Sequence, residues 1–218
     1  MIKTFYIYKG EELLPVKIRN YTVEDSEGLI QIQKKAFPPP FPEELLWSKE
    51  QIAQHVSLFP DGALCLEVNG VLAGSITAMR IDLNDQEPHT WEEITDAGWI
   101  KKHNDTGSTL YIVDICIDPS FRGLGLGRQL MYAAYETVIF LGINRLAGGC
   151  RIPGYSAHKN ELTIETYFEQ LTTGKLKDPV FSFLVGAGRT PVKLIHNYID
   201  DEESGNCAVL MEWKNPFQ

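Results

Sequence analysis

The residues best placed to do chemistry are Phe121-Arg122-Gly123-Leu124-Gly125-Leu126-Gly127, a glycine-rich turn between an apolar run and a helical pattern. A helix N-terminus exposes unpaired N–H groups at the positive end of its dipole. Glycines let the backbone approach a ligand closely, and arginine offers a planar fork to phosphate oxygens. The turn therefore suits a phosphate or pyrophosphate. Spacing narrows the choice. No Lys followed by Ser or Thr stands where a Walker loop needs one. A G-x-G-x-x-G fingerprint meets Leu130 counting from Gly125 and Arg128 counting from Gly123, so it fails from both starts. What fits is R-x-x-G-x-G, as Arg122, Gly125 and Gly127. A glycine turn with no ligand is the alternative. A second chemical feature lies just upstream: Asp114 is a carboxylate in the otherwise apolar run Leu110–Ile117, a setting that demands a partner.

These residues need a scaffold. The 218 residues suit one large domain spanning 1–218, and the 44% hydrophobic and 22% charged residues are ordinary globular composition. The net charge of −9 gives no hint of the basic face that nucleic acid requires. Cys65, Cys116, Cys150 and Cys207 are scattered, without a CxxC pair or histidines at ligand spacing, so we expect buried thiols, no metal and a cytoplasmic protein. No apolar stretch approaches a membrane span.

The chain reads as alternating strands and helices with hairpins. Val16–Tyr21 is a strand and Val23–Phe37 a helix. Ser48 caps a helix reaching about Phe59. Strands Ala63–Val68 and Val71–Arg80 flank Asn69-Gly70, the strongest short hairpin signal. A polar segment, Ile81–Thr109, holds a short helix around Trp91–Lys102. After the apolar strand and glycine turn, a helix runs to Leu141 and stops at Gly142. Then come a strand at Arg145–Cys150, a helical stretch within Gly154–Gly174, and a helix from Asp178-Pro179 to about Val185. Strands at Val192–Tyr198 and Cys207–Trp213 close the chain, with Asp200–Glu203 between them as a solvated turn.

Ile115-Cys116-Ile117-Asp118-Pro119-Ser120-Phe121-Arg122-Gly123-Leu124-Gly125-Leu126-Gly127 resembles the acetyl-CoA motif of the GNAT superfamily of N-acetyltransferases, and the order of elements matches from about Val16 to Trp213. The segments His89–Asp96, Gly149–Tyr155 and Val209–Trp213 resemble the acetyltransferase part of bacterial proteins that join such a domain to a carbon–nitrogen hydrolase. The resemblance implies an α/β fold with a mixed, largely antiparallel sheet, a central splayed parallel strand pair and helices on both faces. It implies acetyl-CoA as co-substrate. The backbone of Ile115, Cys116 and Ile117 would pair with the pantetheine arm. The pyrophosphate would sit on Gly123, Leu124, Gly125, Leu126, Gly127 and Arg128, with Arg122 beside it. It also implies transfer to a small-molecule or peptide amine, without nucleic acid or membrane, and a possible homodimer. Residues 1–15 would form an N-terminal arm, with 81–109 and 154–177 as insertions walling the acceptor side.

Acid–base roles follow from the same resemblance. A base commonly projects from the splayed strand, which offers Tyr111 and Asp114. Regular alternation puts these on opposite faces unless a bulge intervenes, and Tyr111 with Val113 has the parity that faces substrate. Asp114 could equally be structural. Asn160 and Tyr167 have the seven-residue spacing of a family asparagine and general acid, two turns of one helix apart. An alternative alignment at Asp178–Gly188 leaves no tyrosine. Cys150 reads as a small core residue. Asp82, Asp85, Glu92, Glu93 and Asp96 could form a negative field for a basic amine, or a solvated surface. The rival to a transferase is a non-catalytic acyl-CoA-binding module.

Overall fold

A computed structural model describes residues 2–218. The order along the chain is β1 (Ile2–Lys9), β2 (Glu12–Asn20), α1 (Ser26–Ala36), α2 (Lys49–Leu58), β3 (Ala63–Val68), β4 (Val71–Ile81) and α3 (Trp91–Thr95). It continues with β5 (Thr109–Ile117), α4 (Leu126–Phe140), β6 (Arg145–Arg151), α5 (Ile164–Thr172), α6 (Pro179–Gly186), β7 (Thr190–Ile195) and β8 (Ala208–Lys214). The strands form one sheet in the order β1-β2-β3-β4-β5-β6-β8-β7. Every neighbouring pair is antiparallel except β5 and β6. Helices cover both faces, and the expected mixed sheet with a central parallel pair is present.

Local chemistry explains most boundaries. Ser48 accepts from the Gln51 N–H, and Gln51 answers at the Ser48 N–H, closing a capping box on α2. Asn69 and Gly70 both have positive φ, as a tight hairpin between β3 and β4 requires. Asp178 accepts from the N–H groups of Val180 and Phe181 at the start of α6. Residues expected to form an arm instead include β1, an edge strand paired with β2 from Ile2↔Arg19 to Lys9↔Glu12. The helix expected over Trp91–Lys102 ends at Thr95.

Two irregularities shape the site. First, β5 pairs with β6 only from Thr109↔Arg145 to Tyr111↔Ala147, although β5 runs on to Ile117 and β6 to Arg151. Beyond Tyr111 the strands part and form a fork. Second, β5 carries a bulge. Met79 faces Tyr111 and Ala78 faces Ile112, but Thr77 faces Asp114, leaving Val113 as the extra residue. A bulge interrupts alternation. Met79, Thr77 and Ser75 share one face of β4, so their partners Tyr111, Asp114 and Cys116 share one face of β5. The expected opposition of Tyr111 and Asp114, and the pairing of Tyr111 with Val113, are therefore corrected.

The segment between β4 and β5 is packed down rather than loose. The Trp91 indole donates to the carbonyl of Val113 at 3.0 Å, satisfying the bulged residue, and its ring stacks on Trp47. His55 Nε2 lies 2.6 Å from the Gly98 carbonyl, and Gln51 donates to the Ala97 carbonyl. Burial lowers the His55 pKa to about 4, so the imidazole is neutral in this contact.

Candidate active site at the fork between β5 and β6

The glycine turn leaves the end of β5 and delivers the chain into α4. Asp118 anchors its start: it accepts from the Ser120 N–H and pairs with Lys35 of α1 at 2.8 Å, and that lysine, first among the causes, holds its pKa at about 2. Gly123 and Gly125 have φ of +79° and +74°, with open space where a side chain would stand. Gly125 is the N-cap of α4. A Cβ on Gly127 would come within 3.1 Å of the Phe183 ring, so glycine there lets α6 pack against the start of α4. The N–H groups of Gly123, Leu124, Gly125, Leu126, Gly127 and Arg128 have no acceptor among the described residues. Unpaired, clustered donors at a helix start are an anion cradle. Arg122 is exposed and donates to the Ala36 carbonyl at 3.3 Å, which ties the turn to the end of α1.

The carboxylate of Asp114 accepts from Gln33 of α1 at 3.1 Å. Among the described residues it has no ion-pair partner. Burial raises its pKa to about 6, with the Gln33 hydrogen bond opposing. Tyr111 sits where the strands part. It is fully buried, and its Oη lies 2.7 Å from Tyr198 Oη and 3.3 Å from His89 Nε2. Burial, with Tyr198 beside it, raises the Tyr111 pKa, and burial raises that of Tyr198 to about 12. Arg189 is buried next to them, with no carboxylate partner among the described residues. It donates to the carbonyls of Gly148 and Met211, and so braces β6 against β8.

Other sequence candidates stand elsewhere. Tyr167 is fully buried in α5, 3.3 Å from Asp178 Oδ2, and helps hold the carboxylate that caps α6. Asn160 is exposed in the turn before α5 begins at Ile164, so it shares no helix face with Tyr167. Cys150 is buried, and burial raises its thiol pKa. Leu184, the tyrosine position of the alternative alignment, is buried in α6.

The acidic residues expected to form a field are mostly committed to structure. Asp82 accepts from Ser108 and Asn104, Glu93 closes the cap of α3, and Asp96 pairs with Lys101. Asp85 pairs with Arg145 through both oxygens, at 2.7 and 2.8 Å, while Lys193 donates to its carbonyl. The turn expected at Asp200–Glu203 is not simply solvated: Asp201 is buried and pairs with Arg151 through both oxygens, and Arg151 stacks on Phe41. Asp85→Ala would strip these bonds from a half-buried arginine and is expected to cost about 1–3 kcal/mol. Urea unfolding measures that loss, and limited proteolysis should speed up within 82–89.

No motif in the sequence gives a role to His89 or Tyr198. They meet Tyr111 from the β4–β5 connection and the β7–β8 connection, 22 and 87 residues away in sequence. A cleft of about 300 Å³ opens beside Tyr198, lined by Leu45, Thr90, Trp91, Glu92, Ile199 and Asp200 among others. Gly149 was the available signal. A Cβ there would lie 2.6 Å from Tyr198 Oη and overlap its ring, so the glycine marks where the tyrosine enters the fork.

Comparison with known proteins agrees with this arrangement. A profile of the acetyltransferase (GNAT) family matches residues 26–159. The chain is 46% identical over its whole length, and over 96% of the relative's, to the uncharacterized N-acetyltransferase YkwB of Bacillus subtilis. It is 34% identical over 91% of its length to the probable hydrolase YhcX of the same organism, of which it spans 38%. Among solved structures, the loading GNATL domain of CurA from Lyngbya majuscula superposes with a TM-score of 0.79 at 22% identity, covering 93% of this chain and 99% of that one. The GphF GNAT-like decarboxylase in complex with isobutyryl-CoA gives 0.77 at 21%, covering 91% and 98%. At those identities the structures speak for the fold alone. The family match over more than half the chain, and the near full-length relative, decide the family: this chain belongs to the GNAT family of acetyltransferases.

Proposed function

We propose that the chain transfers an acetyl group from acetyl-CoA to a primary amine by direct attack in a ternary complex. The observation that carries this reading is the cradle of unpaired N–H groups from Gly123 to Arg128, set at the open end of the fork. The residues fit the co-substrate. The turn and Arg122 would hold the pyrophosphate, and the backbone of Ile115, Cys116 and Ile117 would hold the pantetheine arm where β6 has moved away. Bound acetyl-CoA supplies the activated acyl group. The isobutyryl-CoA complex of a protein with this fold supports an acyl-CoA as the ligand. Asp114 and Tyr111 are the acid–base residues of the reading; Tyr167 and Asn160 have no support from their positions. The likeness to a longer probable hydrolase supports reading this chain as an acetyltransferase unit that also occurs joined to further sequence.

An amine such as lysine's is about 0.04% neutral at pH 7, so a proton acceptor at the site is worth having. Calorimetry with acetyl-CoA tests the reading, and we expect saturable one-site binding. Release of CoA with a panel of polyamines, amino acids, aminoglycosides and peptide N-termini tests turnover. Absence of binding to folded protein overturns the reading. Binding without release across the panel favours an acyl-CoA-sensing module instead.

A further inference from the structure

We propose that Tyr198, Tyr111 and His89 form a proton relay that carries the acceptor's proton from Tyr198, beside the cleft, to the half-buried His89. The inference rests on the transfer reading above and names the residues that serve its acceptor half. The oxygens of the two tyrosines are 2.7 Å apart, and the second is 3.3 Å from His89 Nε2. Tyr198 lines the cleft beside Leu45, Trp91 and Ile199, and its hydroxyl reaches into the fork against Tyr111 and beside Gly149. His89 is half-buried and reaches solvent.

The proton count closes. The acceptor's N–H bond breaks and its proton passes to Tyr198 Oη. Tyr198 gives its own proton to Tyr111 Oη, and Tyr111 gives its proton to His89 Nε2. Both hydroxyls are restored, the imidazole becomes imidazolium, and water takes the proton from the ring. The nitrogen keeps the electron pair it needs for attack. The groups around the relay suit this direction. Burial lowers the pKa of His89, and the Glu87 backbone hydrogen-bonds the ring. Lys193 on β7 opposes protonation, while Glu93 and Asp85 favour it. Arg189 faces the tyrosine pair and favours any transient negative charge on the phenol oxygens.

Construction of the site points the same way. Three separate segments must meet to place three polar rings in contact. Trp91 N–H donates to the Tyr198 carbonyl at 2.6 Å, joining the helix after His89 to the loop that carries Tyr198. The Asp85–Arg145 pair holds the start of the same connection on the sheet. Gly149 leaves room for the Tyr198 hydroxyl, and no side chain would.

The test uses the intact chain and two readouts. Nitrogen-15 NMR of the protein without ligand reads His89 directly. We expect a neutral ring at pH 7 with Nε2 unprotonated, and Tyr111→Phe should raise its pKa, because the hydroxyl that donates to the neutral ring is lost. A ring protonated at pH 7, or a titration unmoved by Tyr111→Phe, overturns the relay whatever the enzyme turns over. The second readout is acetyl-CoA turnover with butylamine and with hydroxylamine, a far weaker base. Tyr198→Phe and His89→Gln should each lower the butylamine rate by roughly 10²-fold, with acetyl-CoA affinity unchanged. The deficit should shrink with hydroxylamine, and the acid limb of the pH–rate profile should move in His89→Gln. Gly149→Ala should reproduce Tyr198→Phe. Equal losses with both amines and an unmoved pH profile would make these residues structural and overturn the relay. Failure of acetyl-CoA to bind the unsubstituted protein would instead strike the transfer reading, and the NMR titration would still decide the relay.

Discussion

Gly125→Val is expected to weaken acetyl-CoA binding by more than about 100-fold, a loss near 2.7 kcal/mol. Its chain neighbours aside, nothing in the protein stands within 4 Å of where a Cβ would stand, so the added Cβ meets no clash. The obstruction is to the ligand: a branched side chain would stand over the N–H groups that make the cradle. A backbone cost comes in addition. Gly125 has φ of +74°, where an L-residue costs about 1–2 kcal/mol. For a chain of this size that corresponds to a melting point lower by roughly 2–8 °C. Calorimetry and thermal unfolding on the same sample separate the two effects. Undiminished binding in Gly125→Val would show that the turn is not where the ligand's phosphates lie.

Asp114→Asn is expected to stabilise the protein at neutral pH. Burial raises the folded-state pKa of Asp114 from 3.8 to about 6. Below pH 4 both folded and unfolded states are protonated there. Between about 4 and 6 the folded state keeps a proton that the unfolded chain has released, so stability falls as pH rises through that window and stays lower above it. A shift of about two units corresponds to about 3 kcal/mol, and partial exposure of the residue reduces it, so we expect a gain of about 1–3 kcal/mol. Asparagine keeps an acceptor for Gln33 without the charge. Urea unfolding from pH 4 to 8 should show the variant's curve pulling above the parent's between pH 4 and 6. Coincident curves would mean that Asp114 is solvated as a carboxylate. Amine acetylation by the same variant decides its other role: lost turnover at unchanged acetyl-CoA affinity marks a base, and retained turnover marks a structural carboxyl.

Much of the scaffold was legible because its signals are local. Ser48 with Gln51, Asn69-Gly70, Asp178-Pro179 and Gly142 each act within a few residues, and each boundary they imply is present to within a residue or two. The glycine turn was legible for the same reason. The relation of Tyr111 to Asp114 was not, because the bulge between them is held by the indole of Trp91, which packs from outside the strand. Periodicity carries no trace of that contact. The ion pairs of the acidic segments were hidden on similar grounds. A carboxylate in a list of charges looks free, whereas Asp85 and Asp201 are each held by an arginine 60 and 50 residues away. The edge strand β1 hid behind a short polar stretch, Lys9-Gly10-Glu11-Glu12, that reads as a break but is a hairpin turn with Gly10 at positive φ.

The short ladder between β5 and β6 has a consequence for the protein's lifetime. A sheet that a ligand completes has a stability set by that ligand's abundance. At a hundred times the dissociation constant, bound co-substrate would add about 2.7 kcal/mol to folding, and starvation would remove it. Opening at the fork would then be most frequent when acyl donors are scarce. Proteolysis in vitro should therefore slow as co-substrate is added, with the protection reaching first the segments on either side of the fork.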